Sequence, residues 1–354
     1  MDLEFFPLRV ADVEQLTDEA VAVTFEVPAR LADTFRYKPG QHVTVRAFLD
    51  GHDVRRSYSI CANAAKGDLR IGIKRLDGGA FSNWATTELE AGHVLDVMAP
   101  IGDFTVDPDP QAARHYCAIA AGSGITPVLS LASTVLELEP QSRFTLIFGN
   151  RESRSVMFLD EVEGLKDVYP DRFHLIHVLS REHHSLPLFS GRIDAAKLDQ
   201  LFNQLVAVPT VDEWYLCGPY GLVETARTTL VGRGVDPAHI HDELFFAGPP
   251  PDIPLPREEI EGMAIVTFTL EGRSSVVKVD PEGPPILDHA LTVRRELPYS
   301  CRGGMCASCK ARLIEGKVEM EQNWALTAAD LDAGYVLTCQ SHPLTESVVL
   351  DYDV

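Results

Sequence analysis

The sequence has no apolar stretch of about 18 residues, the length that a helix needs to cross a membrane, so we expect no spanning helix. Its first residues, MDLEFFPLRV, lack the cationic start and long apolar run of a signal peptide. Cationic residues are scarce, since 31 Lys and Arg stand against 52 Asp and Glu and leave a formal charge of −21. This charge disfavours nucleic acids and anionic membranes as partners, and it allows a partner protein with a basic docking face. Solubility alone would explain the acidity equally well.

Length and composition indicate a globular protein with more than one domain. The chain has 354 residues, too many for one ordinary domain, so we expect two or three. Its 45% hydrophobic and 23% charged residues are typical of globular proteins. We find no internal repeat in the sequence.

The first third of the chain has the pattern of a β-rich domain. Short apolar or alternating runs at residues 9–13, 21–27, 42–48 and 69–75 are separated by turn signals such as Lys38-Pro39-Gly40. Several short strands with close turns predict a small antiparallel β-barrel. A helix over residues 83–90 is expected to follow, with Ser82 as its N-cap.

The middle third changes to alternating strands and helices. Strands are predicted at 116–120, 144–149, 173–179 and 213–217, and helices at 128–138, 158–169 and 222–233. This alternation predicts an α/β domain with a parallel sheet. Because ligands of such sheets bind at the carboxyl ends of the strands, the loops after these strands are candidate binding segments.

A proline-rich segment separates the last third. Five prolines fall between residues 247 and 256, which excludes a helix or a central strand and predicts an extended tether. Beyond it, the pattern gives a hairpin at 265–270 and 275–279, a helix at 286–296 and strands at 336–339 and 348–352. This order predicts an α+β domain as the third part of the chain.

Four cysteines in this last part carry the clearest chemical signal. Cys301, Cys306 and Cys309 have C-x4-C-x2-C spacing, and Cys339 follows after twenty-nine residues. This spacing is typical of the plant-type [2Fe–2S] cluster, in which each iron takes two thiolates. Glycines within the loop, at positions 303 and 304, let the backbone curl and direct N–H groups at sulfur. The sequence therefore predicts a [2Fe–2S] cluster.

Other roles for these cysteines agree less well with the sequence. Disulfides need an oxidising compartment, and nothing in the sequence suggests one, so we expect a cytoplasmic protein. A structural zinc site would pair C-x2-C with a second such pair or with histidines, and no second pair exists. Of the remaining cysteines, Cys61 and Cys117 have no neighbour at ligand spacing and are predicted to be core residues. His183-His184 is predicted to be a loop pair.

Two segments of the barrel suggest a flavin site. Arg56-Ser57-Tyr58-Ser59 offers an arginine for phosphate, a tyrosine to stack on the ring and a serine hydroxyl to bond N5. Gly79-Ala80-Phe81-Ser82, just before the predicted helix, offers amide donors to a pyrophosphate. Each motif alone also fits a surface strand end or an ordinary turn, but their order within one barrel favours FAD.

Two strand ends of the α/β domain suggest a nucleotide site. Gly122-x-Gly124-x-Thr126-Pro127 follows a strand and opens a helix, although it departs from the G-x-G-x-x-G fingerprint. A packing turn is the alternative interpretation of this motif. Cys217-Gly218-Pro219 ends another strand at the same predicted edge, where the thiol can pack on a nicotinamide or simply fill the core.

Arginines at two further strand ends favour NADPH over NADH. Arg151 and the pair Ser180-Arg181 follow neighbouring predicted strands, where a cation can bind a 2′-phosphate. No acidic residue is clearly placed to hold a free 2′-hydroxyl. Solvated loop arginines remain the alternative.

As an ordered set, these motifs resemble the ferredoxin–NADP reductase superfamily, in the branch with a C-terminal plant-type ferredoxin. The resemblance implies an FAD-binding β-barrel at 1–108, an NAD(P)-binding α/β domain at 109–247, a linker at 248–258 and a β-grasp ferredoxin domain at 259–354. Segments such as Gly191-Arg192-Ile193-Asp194 and Tyr335-Val336-Leu337-Thr338-Cys339-Gln340 look most like the reductase subunits of phenylacetyl-CoA epoxidases. Reductases of Rieske oxygenases and steroid hydroxylases share much of this pattern.

The resemblance also implies roles for individual residues. Ser59 and Tyr58 would lie at the flavin ring, Lys74 would line the flavin, and Glu243 and Phe245 would close the flavin–nicotinamide site, with Cys217 completing the catalytic set. Electrons would pass from NADPH to FAD, to the cluster and then to a separate oxygenase, expected to be a diiron enzyme. A non-catalytic redox relay is a further alternative.

Overall fold

The computed structural model describes residues 4–245, 262–270 and 272–353, and within them three sheets of five or six strands and one two-stranded sheet. They form two compact units, of which one holds the barrel and the parallel sheet and the other holds the C-terminal sheet. The predicted proline-rich linker lies outside the described residues.

Alternating strands in the first part form the barrel. Its elements are β1 (Phe5–Thr17), β2 (Ala20–Glu26), β3 (His42–Leu49), β4 (His52–Ser59), β5 (Leu69–Lys74), α1 (Ala80–Thr87) and β6 (Val94–Met98). The sheet order is β4-β3-β6-β1-β2-β5, and the pairings of β1 with β2, β1 with β6 and β2 with β5 are antiparallel. A bridge between Ile60 and Ile71 connects the chain after β4 with β5. Inward apolar side chains form one core cluster, so this part is the predicted antiparallel barrel.

Strands and helices alternate in the second part, as predicted. Its elements are β7 (His115–Ala121), α2 (Ile125–Leu138), β8 (Arg143–Asn150), α3 (Leu159–Val168), β9 (Phe173–Leu179), α4 (Ala195–Gln204), β10 (Glu213–Gly218), α5 (Tyr220–Gly232) and β11 (Ile240–Leu244). The strands are parallel in the order β11-β10-β7-β8-β9. The central strand β7 is almost continuously buried because helices cover both faces.

Hydrophobic residues in the third part face one side of a mixed sheet. Its elements are β12 (Ala264–Leu270), β13 (Arg273–Val279), α6 (Ile286–Val293), β14 (Lys310–Glu315), β15 (Val318–Met320), α7 (Ala328–Asp332), β16 (Tyr335–Leu337), β17 (Ser341–Pro343) and β18 (Ser347–Asp351). The main sheet has the order β13-β12-β18-β14-β16. The segment with Cys301, Cys306 and Cys309 runs between α6 and β14, and Cys339 is the second residue after the end of β16.

Four predicted helix boundaries are wrong by three residues, and so is the predicted N-cap. Helix α1 begins at Ala80 with Gly79 as N-cap, and it ends at Thr87. Ser82 lies inside the first turn, where its buried Oγ accepts the Leu76 N–H at 3.1 Å. Helix α2 begins at Ile125, three residues earlier than predicted, and α6 ends at Val293. Pro127 is accommodated in α2 because the N–H groups of the first turn have no partner within the helix.

Candidate functional site

The candidate flavin segment forms the end of β4. Ser59, the last residue of the strand, is buried, whereas Arg56 is exposed. The Tyr58 ring lies 5.6 Å from the Phe81 ring at an interplanar angle of 39°. Phe81 in turn is fully buried in the first turn of α1, so the strand end and the helix start are fixed to each other. The two predicted flavin motifs, with Ser57 on β4 and Ala80 at the start of α1, therefore belong to neighbouring elements.

The nucleotide motif and the Cys217 segment meet at the carboxyl edge of the parallel sheet. Cys217 is the register partner of Ala120, near the end of β7. A Cβ on Gly124 would lie 2.3 Å from the Cys217 carbonyl oxygen, so only glycine allows this close approach. Gly122 has a φ of 55°, the left-handed region that glycine adopts easily. Pro219 caps α5, which starts beside the same edge.

Two residues of the nucleotide motif have packing roles. Thr126 is 1% exposed, and its Oγ1 donates to the Ser123 carbonyl at 2.9 Å. A Cβ on Gly72 of β5 would lie 2.6 Å from the Thr126 methyl carbon. Thr126 therefore helps to pack the barrel against α2. Pro127 is likewise buried in α2.

The predicted phosphate-binding residues lie at the ends of β8 and β9. The Ser180 N–H donates to the Asn150 carbonyl at 2.9 Å, and the Arg181 N–H donates to the Arg151 carbonyl at 2.8 Å. Both arginines are exposed. These backbone bonds hold the two arginines on adjacent loops, at the same edge of the sheet as Gly122.

Lys74, at the end of β5, extends this cationic region. Burial lowers the pKa of Lys74, the positive charge of Arg151 lowers it further, and Glu19 opposes both effects. Lys74 therefore lies close enough to Arg151 for their charges to interact. Lys74, predicted to line the flavin, thus lies near the sheet edge that carries Arg151.

Two polar residues at this edge were not found from the sequence. Asn150 is 8% exposed, and its Nδ2 has no hydrogen-bond partner among the described residues, which leaves a donor for a ligand. Glu182 accepts from the Ser153 N–H at 2.6 Å and from the Ser153 Oγ at 2.7 Å. These bonds lower the pKa of Glu182, so the carboxylate stays ionised. It connects the loop after β9 to the loop after β8, which carries Ser153. In the sequence, only the positions of Asn150 at the end of β8 and of Glu182 just after β9 could have indicated them.

Glu243 connects the barrel to the parallel sheet. It lies on β11 as the register partner of Cys217, and its Oε2 accepts the Ser59 hydroxyl at 3.0 Å. His42, which is 7% exposed, has its Nδ1 3.8 Å from Glu243 Oε1. No sequence pattern indicated His42, because it is far from Glu243 along the chain and only the fold joins them. Two residues after Glu243, the Phe245 N–H donates to the Gly218 carbonyl at 2.9 Å. This bond fixes the backbone just beyond the end of β11.

Burial shifts the pKa values of two groups at this centre. It raises the pKa of Glu243 from 4.5 to about 7, although the Ser59 hydroxyl opposes the shift. Burial raises the pKa of the Cys217 thiol well above its usual value, and the neighbouring Glu243 charge adds to this. Cys217 is therefore a neutral thiol at neutral pH, and Glu243 is poised to hold or release a proton. A carboxyl with these properties can hold a proton beside Ser59.

The four cysteines of the third part meet as two pairs. The Cys301 N–H donates to the Cys306 Sγ at 3.4 Å, and the thiols of Cys309 and Cys339 lie within hydrogen-bonding distance of each other. The neighbouring thiol and burial raise the pKa values of Cys301 and Cys309, whereas the hydrogen bond from Cys309 lowers the pKa of Cys339. The thiolates of Cys301 and Cys309 therefore need a bound cation to be stable. Among the described residues, no three His, Cys, Asp or Glu side chains are arranged to hold a single metal ion. Two pairs suit a two-iron cluster.

The backbone around the pairs fits such a cluster. The N–H groups of Gly303 and Met305 donate to the Cys301 Sγ at 3.3 Å and 3.4 Å. Gly304 has a φ of 74°, and a Cβ there would lie 2.9 Å from the Gln322 carbonyl oxygen, so glycine is required. N–H donors to sulfur favour thiolate charge. The residues present would hold a [2Fe–2S] cluster, which accepts and releases one electron at a time.

Comparison with known proteins covers all three parts. An oxidoreductase FAD-binding domain matches residues 7–106, an oxidoreductase NAD-binding domain matches 118–228 and a 2Fe–2S cluster-binding domain matches 268–344. A component of the 1,2-phenylacetyl-CoA epoxidase from Escherichia coli is 42% identical over 99% of this chain and 98% of its own length. This chain belongs to the family that includes the ferredoxin reductase components of oxygenases. It is an oxidoreductase with FAD-, NAD- and [2Fe–2S]-binding domains, as predicted.

Further similarities agree with this family and fold. The ferredoxin reductase component of 3-ketosteroid-9-alpha-monooxygenase from Rhodococcus rhodochrous is 32% identical over 98% of this chain and 96% of its own length. The solved structure of phthalate dioxygenase reductase superposes with a TM-score of 0.61 at 22% identity, covering 98% of both chains. The predicted fold class and an oxygenase partner are thereby confirmed. No helix within the described residues is long and apolar enough to span a membrane.

Proposed function

We propose that this chain is the reductase of a phenylacetyl-CoA epoxidase. The observation that carries this proposal is the 42% identity with the epoxidase component, which extends over nearly the whole of both chains. The steroid monooxygenase reductase covers the chain as fully but with 32% identity. The partner is then a diiron oxygenase that acts on an acyl-CoA thioester.

Reconstitution tests the proposal. The purified reductase, loaded with flavin and cluster, is mixed with the oxygenase components of a phenylacetyl-CoA epoxidase, a Rieske dioxygenase or a ketosteroid monooxygenase in separate reactions. We expect phenylacetyl-CoA to stimulate NADPH oxidation and to yield the epoxide in the first mixture. Faster product formation with either of the other oxygenases would assign the reductase to that system.

Within this reaction, the residues at the barrel edge position groups and hold a proton. FAD, when bound, supplies the conversion of a hydride into single electrons. Ser59 donates to Glu243, and Glu243 holds a proton near neutral pH beside the strand end that carries Tyr58. Cys217 provides a neutral, close-packed surface next to Glu243. These residues thus order the flavin–nicotinamide region without an acid–base triad.

We also propose NADPH as the preferred donor. Arg151 and Arg181 lie on adjacent loops at the sheet edge and are exposed, so both can reach a 2′-phosphate. The nearby carboxylate of Glu182 is bound to Ser153 and is therefore occupied. A free ribose 2′-hydroxyl would have to displace that interaction.

The domain limits and location complete the proposal. We propose the division 1–108, 109–247, 248–258 and 259–354, in which barrel and parallel sheet form one unit. We propose Cys301, Cys306, Cys309 and Cys339 as the cluster ligands. A cytoplasmic location would keep these thiols reduced until iron binds.

A further inference from the structure

The two cysteine pairs differ in how their members are brought together. Cys301 and Cys306 belong to one short loop, so local backbone geometry is enough to pair them. Cys309 and Cys339 are separated by 29 residues that include β14, β15, α7 and β16. Closing a longer loop costs more conformational entropy, so tertiary contacts must hold the second pair.

Thr338 provides such a contact at the residue before Cys339. Its Oγ1 donates to the Cys309 carbonyl at 3.0 Å, and its N–H donates to the same oxygen at 3.3 Å. Its own carbonyl accepts the Leu287 N–H at 3.0 Å. Thr338 has 0% of its surface exposed, so water does not compete for these bonds. One residue therefore connects both ligand segments and α6.

Tyr352 orients the Thr338 hydroxyl. The Tyr352 OH donates to Thr338 Oγ1 at 2.9 Å, which leaves the threonine proton to point at the Cys309 carbonyl. The Tyr352 backbone N–H bonds the Thr269 carbonyl at 3.0 Å, and its ring packs edge-on against Phe268 at 6.4 Å. The tyrosine is thereby fixed in the core beyond the end of β18.

Gln340, on the other side of Cys339, makes a parallel connection. Its Nε2 donates to the Arg302 carbonyl at 2.9 Å and to the Cys339 carbonyl at 2.8 Å. Arg302 has a φ of 54°, an unfavourable value for a residue with a side chain, and it directly follows Cys301. Both neighbours of Cys339 thus hold the cysteine loop by hydrogen bonds to its backbone.

We propose that Tyr352 and Thr338 are positioning residues for the iron–sulfur cluster, acting as one hydrogen-bonded chain that holds Cys309 beside Cys339. The inference rests on the proposed ligand assignment of the four cysteines. Every hydrogen bond described for Thr338 and Tyr352 is made to another residue of the C-terminal unit.

The test uses the full-length protein loaded with flavin and cluster. The variants are Thr338→Val, which keeps the side-chain shape but removes the hydroxyl, Thr338→Ser, which keeps the hydroxyl, Tyr352→Phe and the double variant Thr338→Val/Tyr352→Phe. The rate of cluster loss to an iron chelator is followed by the visible absorbance of the cluster. Visible circular dichroism and the electron paramagnetic resonance spectrum of the reduced cluster report its geometry.

We expect Thr338→Val to lose its cluster about tenfold faster, because it removes a buried hydrogen bond and leaves the Tyr352 hydroxyl without its acceptor. Tyr352→Phe should lose it about threefold faster, and Thr338→Ser should remain within about twofold of the wild type. The double variant should lose its cluster no faster than Thr338→Val, because the effects of two substitutions in the same hydrogen-bonded chain are not additive. The spectra of Thr338→Val should also differ from those of the wild type.

Two results would overturn the inference. One is additive effects in the double variant, which would show that the residues act independently. The other is an unchanged cluster-loss rate and unchanged spectra for Thr338→Val in protein with a full complement of iron. Failure of the ligand assignment itself is distinguishable, because the wild-type protein would then contain no iron by elemental analysis.

Discussion

Glu243 makes the stability of the flavin-binding unit dependent on pH in an unusual direction. The folded protein raises the pKa of this carboxyl from 4.5 to about 7. Between these values the folded state holds a proton that the unfolded state has released, so stability falls as pH rises from 4.5 to about 7. Above about pH 7 the whole of this stability has been lost. Below pH 4.5 the carboxyl is protonated in both the folded and the unfolded state, so Glu243 does not make stability depend on pH there.

The size of this loss follows from the shift. At about 1.36 kcal/mol for each pKa unit, ionising the buried carboxyl costs about 3 kcal/mol. The side chain keeps 17% of its surface exposed, so solvent relieves part of the cost, and we expect about 2 kcal/mol. For a unit of this size, about 2 kcal/mol corresponds to a midpoint shift of about 4–8 °C.

The assay compares the wild type with Glu243→Gln across pH. Release of flavin on heating, seen as an increase in flavin fluorescence, reports unfolding of the unit that holds the barrel. The thermal unfolding midpoint of the glutamine variant minus that of the wild type should be smallest near pH 5. Near pH 8.5 this difference should be larger by about 4–8 °C, with the glutamine variant the more stable protein. A change in flavin affinity that does not vary with pH adds only a constant offset, so flavin affinity is measured for both proteins at each pH.

Ser59→Ala serves as the matched control. Its hydroxyl stabilises the Glu243 carboxylate, so removing it should raise the pKa further and extend the decline to higher pH. A midpoint difference between wild type and Glu243→Gln that stays constant from pH 5 to about 8.5 would refute the reasoning. It would mean that Glu243 ionises with an ordinary pKa.

Three other substitutions test separate parts of the protein. Arg181→Ala should raise KM for NADPH at least about tenfold while changing KM for NADH little, because a charge-assisted bond to phosphate contributes about 1.5–3 kcal/mol; equal effects would show that Arg181 does not bind the 2′-phosphate. Cys306→Ser should retain NADPH oxidation by ferricyanide but fail to support the oxygenase, and preserved oxygenase turnover without iron would contradict the electron order. Gly124→Ala should weaken NADPH binding with normal flavin content, because its Cβ would lie 2.3 Å from the Cys217 carbonyl, and an unchanged KM would argue against this close approach.

Local motifs could be predicted from the sequence because their chemistry depends on neighbours in the chain. The cysteine loop is the clearest case, since spacing alone brings Cys301, Cys306 and Cys309 together. The strands were found for a similar reason, as in β9, whose predicted limits at 173–179 are those observed. The first residues of helices were harder to predict from the sequence. Gly79, and not Ser82, is the N-cap of α1, because the helix starts at Ala80 and the Ser82 hydroxyl accepts the N–H of Leu76, six residues earlier in the chain.

Contacts between distant segments could not be predicted from the residues themselves. Ser59 and Glu243 are 184 positions apart, and the role of Glu243 followed only from the family resemblance. The pKa shift of Glu243 depends on how much water the fold excludes, which no local pattern encodes. Thr126 is a similar case, since its place in a candidate phosphate-binding motif gave no sign that its side chain also packs against Gly72.

Each of the two candidate redox sites includes a residue from a distant segment of the chain. Glu243 reaches Ser59 from β11, and Cys339 reaches Cys309 from the turn after β16. In each case a local motif supplies most of the side chains of the site. The distant residue, Glu243 or Cys339, reaches its position only when the segments between have folded. A partly folded domain therefore lacks the last group of its site. It follows that cofactor retention in this protein should be more sensitive to destabilising core substitutions than the motifs alone would indicate, because each site depends on a contact between distant segments.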